Sequence, residues 1–150
     1  MTLNHFSEAV AAKLSGLWPD RKVFVDRIPQ ESDGNFFVGI IESSQQSHLD
    51  RRRQRTVQME VLYFLQSDDT MNFQEWAESM YDHFEKLEVQ ETSGSGTGEK
   101  IRTVRLTNCK ARRDDEARVY QFLFDADFHF VLAAKELPTM ETVDMGVRIE

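Results

Sequence analysis

Residues 118–132 read RVYQFLFDADFHFVL. Tyr120, Phe122, Phe124, Ala126, Phe128, Phe130 and Leu132 occupy every second position, and Gln121, Asp125, Asp127 and His129 lie between them. Side chains of a β-strand alternate between its two faces, so this spacing predicts a long strand with an aromatic face and a polar face. A strand of this length is expected to bend, or to be shared between the body and a neighbouring surface. It needs strands beside it and something apolar over its aromatic face.

The rest of the chain supplies both. In RTVQMEVLYFL (55–65), Val57, Met59, Val61, Tyr63 and Leu65 alternate with Thr56, Gln58 and Glu60, which predicts a half-buried strand. FFVGII (36–41) is apolar throughout and reads as a central, covered strand. KVFVDRI (22–28) and IRTVRLTNC (101–109) are further strand candidates. Leu3, Phe6, Val10, Leu14 and Leu17 recur at helical spacing and predict a helix over 3–17, weakened by Gly16 and stopped by Pro19. Asn72 with Glu75 is helix-start chemistry, and Phe73, Trp76, Ala77, Met80, Phe84 and Leu87 continue as one stripe, predicting a helix over 72–87. SSQQSHLD (43–50) reads as a polar connection, KARRDDEA (110–117) as a charged turn and ETSGSGTGEK (91–100) as a flexible linker. Met140, Val143 and Met145 are apolar anchors near the end, where GVRIE (146–150) reads as a last short strand. Helix, strands, helix, strands, without βαβ alternation, is the order of an α+β fold. The expectation is a mainly antiparallel sheet of about four to six strands with two amphipathic helices packed on one face.

The chain has 150 residues, the size of one domain, and residues 1–150 are read as such, with a flexible loop at 91–100 and a C-terminal extension over 133–150. At this size folding hides roughly 68–70% of the unfolded surface, so a core forms without staples. The 11 phenylalanines make it a bulky aromatic core, and 7 glycines and 3 prolines are too few for a disordered chain. Net charge is −8, which repels phosphate at long range. The charge is patchy: residues 66–91 hold eight carboxylates against Lys86 alone, whereas residues 101–113 hold five bases and no acid. Patches of both signs suit contact with other copies or other proteins. The one cysteine, Cys109, allows no internal disulfide and fits a reducing compartment. The first residues lack the apolar run of a secretory signal, and no stretch approaches the roughly 20 apolar residues of a membrane span.

No catalytic constellation is visible, so no enzymatic activity and no cofactor are expected. SGSGTG lacks the lysine and the flanking strand and helix of a phosphate-binding loop. Cys109 has no histidine placed by sequence to activate it and reads as a small apolar residue in a strand. Asp125, Asp127 and His129 share a strand face, but same-face neighbours stand roughly 6–7 Å apart, too far to close on one ion without help from another strand. A solvated or subunit-facing polar face is the better reading of these three.

HLDRRRQRTV (48–57) is the other unusual stretch, with Arg51, Arg52, Arg53 and Arg55 inside five positions. A DNA reader would put its bases on a recognition helix or among stacking aromatics. Here they stand at the foot of a strand, after a polar loop, with no aromatic interleaved. The plain reading is a solvated loop. The functional readings are pairing with acidic residues of a neighbour, favoured by the abundant acid of the chain, and contact with nucleic acid as an accessory protein.

Several segments, taken in order, resemble the small tail terminator (tail completion) proteins of long-tailed bacteriophages and prophages. They are the N-terminal amphipathic helix, RIPQ (27–30) before FFVGII (36–41), LDRRRQRTVQMEVLYF (49–64), NFQEWAESMYDHF (72–84), YQFLFDADFHF (120–130) and METVDMGVRIE (140–150). ETSGSGTGEK departs from that pattern in length and glycine content. The resemblance implies a structural virion protein assembled in the bacterial host cytoplasm. It also implies a homo-oligomeric, typically hexameric, ring at the head-proximal end of the tail. Its implied partners are other copies of itself, the tail tube protein and the head-completion or connector protein, with DNA only as passing cargo through the lumen and no membrane. Arg51, Arg52, Arg53 and Arg55, with Asp125, Asp127 and His129, are then candidates for the ring interface.

Overall fold

The computed structural model describes residues 2–28, 33–66, 71–92 and 99–131. Helix α1 (Leu3–Leu17) begins at Thr2, whose hydroxyl accepts from the His5 N–H at 3.4 Å while the Thr2 N–H donates to His5 Nδ1 at 3.0 Å. The Thr2 N–H is thereby used, and the His5 N–H, which also reaches the Thr2 carbonyl at 3.1 Å, gains a second acceptor. Phe6, Val10 and Leu14 lie on one stripe and are fully buried. The helix closes at Trp18, just before Pro19, which cannot continue it.

Among the described residues six strands follow: β1 (Val23–Val25), β2 (Phe36–Ser47), β3 (Arg52–Phe64), β4 (Lys86–Thr92), β5 (Glu99–Asp114) and β6 (Val119–Val131), with helix α2 (Phe73–His83) between β3 and β4. They form one sheet in the order β1-β2-β3-β6-β5-β4. All pairings are antiparallel except β1 with β2. The α+β class and the mainly antiparallel sheet expected from the sequence are what the chain forms.

The opening stretch is β6, in the middle of the sheet. Phe122, Phe124, Ala126 and Phe128 are buried on one face, joined by Val57, Met59, Val61 and Tyr63 of β3. Both helices pack on this face. Phe6 of α1 sits 4.8 Å from the Phe128 ring, and Trp76 of α2 sits 5.5 Å from the Tyr120 ring. Each such ring removed from water contributes about 1.5–3 kcal/mol, which makes this layer the main source of stability.

The length of β6 is accommodated by a change of partner. β5 pairs with β6 from Leu106 to Asp114, but from Glu99 to Arg105 it pairs with β4 instead. The register shifts between Thr107 and Lys110, where Asn108 takes a left-handed conformation (φ 54°) that asparagine tolerates. Among the described residues, β6 beyond Ala126 pairs with β3 alone. The sheet curls at this point, and the far ends of β2, β3 and β6 stand out from the helix-covered body.

Five sequence expectations are corrected. SSQQSHLD is not a connection: Ser43–Ser47 belong to β2 and pair with Arg53–Val57. It lacks alternation because every residue from Ile41 to Asp50 is exposed, so neither face selects apolar side chains. FFVGII is accordingly not central along its whole length. β1 covers only Phe36–Val38, and burial stops after Gly39. Helix α2 ends at His83 rather than 87, because Leu87 reaches the core from β4; over so few residues, helical and strand periods coincide. The linker over 91–100 contains the inner ends of a hairpin, Glu91–Thr92 paired with Glu99–Lys100. KARRDDEA is mostly strand, with the turn confined to Asp115–Arg118. That turn is held by Asp114, whose carboxylate accepts the N–H groups of Glu116 and Ala117 at 3.1 and 3.0 Å. The apolar anchors Met140, Val143 and Met145 and the strand expected at 146–150 lie outside the described residues.

Candidate functional site

The arginine run lies on the protruding hairpin of β2 and β3. The turn closes with the His48 N–H on the Arg52 carbonyl at 2.9 Å, and Asp50 takes a left-handed conformation (φ 63°) at its tip. Arg53 braces the turn by donating to the carbonyls of Arg52 at 2.9 Å and Asp50 at 3.4 Å. Leu49 stands beside them, 77% exposed.

Alternation then divides the run. Arg53 and Arg55 pair across with Phe130 and Phe128, on the face that carries the core. Arg52 pairs with Val131, on the opposite face, together with the positions facing Asp125, Asp127 and His129. Arg51 lies in the turn. The seven interface candidates therefore do not form one patch: Arg53 and Arg55 are on one side of the arm, and Arg52, Asp125, Asp127 and His129 are on the other.

On the core side the fold provides what the linear sequence lacked, an aromatic platform. The Arg55 guanidinium sits 4.5 Å from the Phe130 ring centre, held by its Nε donating to Gln45 Oε1 at 2.7 Å. Arg102 of β5 lies over Phe128 at 5.8 Å and donates to the His129 carbonyl. Sequence reasoning missed Arg102. Its signal was present in IRTVRLTNC, where Arg102 falls in phase with buried Val104 and Leu106 at the end of the strand.

On the open side, Asp127 accepts from the Thr56 hydroxyl at 2.5 Å and Asp125 from the Asn108 amide at 2.8 Å. The His129 ring is 6.3 Å from that of His48, which itself sits 3.2 Å from Gln54 Oε1. Among the described residues no group of three or more His, Cys, Asp or Glu side chains is placed to hold a metal. Between His48, Leu49, Arg52, His129, Phe130 and Val131 lies a hollow of about 470 Å³. Its walls are mostly apolar, and Leu49 and Val131 are largely exposed there.

Cys109 is half-buried and its Sγ lies 3.8 Å from the Phe84 carbonyl, as a weak donor. Burial pushes the thiol up from its ordinary value, and the Asp125 carboxylate pushes it the same way. That is the opposite of an activated nucleophile. Lys13 is lowered by burial, with Glu88 partly opposing the shift.

A helix-backed sheet with a projecting arm, whose tip is basic and partly apolar, has the make-up of a small structural subunit that meets other proteins. The sequence profile of the family described as phage tail terminator protein matches residues 5–138, and the chain belongs to that family. The match runs from the first turn of α1 through the arm and past the end of β6. Among curated proteins none matches the chain. Membership gives the protein a structural role in the phage tail and contact with other tail or head proteins. No described helix is long and apolar enough to cross a membrane.

Proposed function

We propose that the protein assembles as a hexameric ring on the head-proximal end of the tail tube, ends tube growth there and presents the surface that the head connector meets. The observation that carries this reading is the family match over residues 5–138. The exposed arm supports it, because β2 has both faces in water from Ile41 to Ser47 and leaves a polar edge open to a neighbour. Its partners are other copies, the tail tube protein and the head-completion protein, and DNA passes through the lumen as cargo.

The divided charge suggests a division of labour. Arg51, Arg52 and Leu49 at the tip serve contact with a neighbouring copy. Asp125, Asp127 and His129 face outward on the open side, toward a neighbour or the tube. Arg53 and Arg55 serve mainly to stiffen the arm from within.

Tail tubes grown without this protein provide the test. Gold-labelled protein added to them and viewed by electron microscopy should mark one end of each tube. Labelling along the sides, or none at all, contradicts the proposal.

A further inference from the structure

The arm tip has a complement elsewhere on the same chain. Helix α1 runs along the outer edge of β4, leaving hollows of about 290 and 430 Å³ between them. The Leu106 N–H donates to the Glu85 carbonyl at 3.0 Å, and antiparallel pairs alternate, so Lys86, Glu88 and Gln90 turn their backbone groups away from β5 and toward this groove. The Lys86 carbonyl is taken by Lys13 Nζ at 2.9 Å. The smaller hollow is lined by Glu8 and Glu88, with no lysine or arginine among its described walls. Ile101 also lines it and is 59% exposed.

The tip and the smaller hollow carry opposite charges, although the larger hollow adds Lys13 and Lys86 and the tip also holds Asp50. The tip presents Arg51 and Arg52 around an uncovered leucine, and the smaller hollow presents Glu8 and Glu88 around an uncovered isoleucine. Within one subunit the two do not meet, since no arm residue lines the groove.

We propose that the arm tip of one copy seats in the α1–β4 groove of the next, with Leu49 on Ile101 and Arg51 and Arg52 beside Glu8 and Glu88. The inference rests on the ring reading above and names its contact. Each copy offers one tip and one groove, so the contact is head-to-tail, the kind that closes into a ring when the rotation allows. Opposite charges orient the encounter, while the apolar pair supplies area removed from water. The outward backbone groups of Glu88 and Gln90 give the arriving arm donors and acceptors to bond.

The test is a disulfide ladder. Leu49→Cys and Ile101→Cys are combined in a chain carrying Cys109→Ser, oxidised mildly, alone and on tail tubes, and separated without reductant. A disulfide requires Cα atoms roughly 4.4–6.8 Å apart, so only a seated tip is trapped. The expected result is a ladder rising one copy at a time to a closed ring, with each single-cysteine variant stopping at dimers. A double variant that also stops at dimers in both conditions overturns the proposal. If that same sample still caps tube ends, the ring reading stands and its contact lies elsewhere; if it neither ladders nor caps, both readings fail. Charge exchange gives a second readout: Arg52→Glu should weaken capping roughly tenfold, and Glu88→Arg added to it should restore capping. Absence of rescue also counts against the pairing.

Discussion

The Arg55 guanidinium lies 4.5 Å from the centre of the Phe130 ring, on the same face of the sheet as the core, while Arg52, three positions earlier, points to the other side. One run of identical side chains thus has two physical roles, because a strand alternates and a charge run does not.

Arg55 and Arg52 should therefore behave differently when truncated. Arg55→Ala removes a cation–π contact and the bond to Gln45, and should cost about 0.5–1 kcal/mol of subunit stability. Arg52→Ala, at an exposed position, should change it by less than about 0.5 kcal/mol. Urea unfolding of the two variants beside the parent checks this; equal losses would contradict the division of the run.

The second helix depends on its cap. Asn72 Oδ1 accepts from the N–H groups of Gln74 and Glu75 at 2.9 and 3.2 Å. Asn72→Ala leaves both donors to water and should cost about 1 kcal/mol, whereas Asn72→Asp should be nearly neutral. Thermal unfolding followed by circular dichroism reads both, and an unaffected Asn72→Ala variant would show that packing of Trp76 and Met80 alone holds the helix.

Cys109 gives a pH-dependent prediction. Burial, helped by Asp125, makes the folded chain hold the thiol proton to higher pH than the unfolded chain does. The contribution to stability is therefore complete well below pH 9.0, where an unburied thiol is half ionised, and is lost as pH rises through and beyond it. At pH 8 iodoacetamide should modify Cys109 several-fold more slowly in the folded protein than in urea. Equal rates would show that the thiol is neither covered nor raised.

Legibility in the sequence followed burial. β6 and β3 were readable because water on one side and core on the other impose a period of two on Phe122, Phe124, Val57 and Met59. The arm was not, because Ser43–Ser47 face water on both sides and any polar residue serves there. Strand β4 was hidden for a different reason: Leu87 extends the helical stripe of Met80 and Phe84 by chance of spacing, and only Val89 marks the change of period. At the candidate site, the arginines and the Asp125–His129 face were visible as residue types. Their division between two faces was not, because it depends on the register of Arg53 with Phe130. The contribution of Arg102 depends on the curl that brings β5 back to β6, a relation between residues 27 positions apart.

Particle mass measured by light scattering, on the protein alone and after addition of tail tubes built without it, tests the central claim most directly. A mass equal to a closed ring of subunits, in solution or released from capped tube ends, is the predicted result. A protein that stays monomeric and leaves the tubes unchanged would contradict the account.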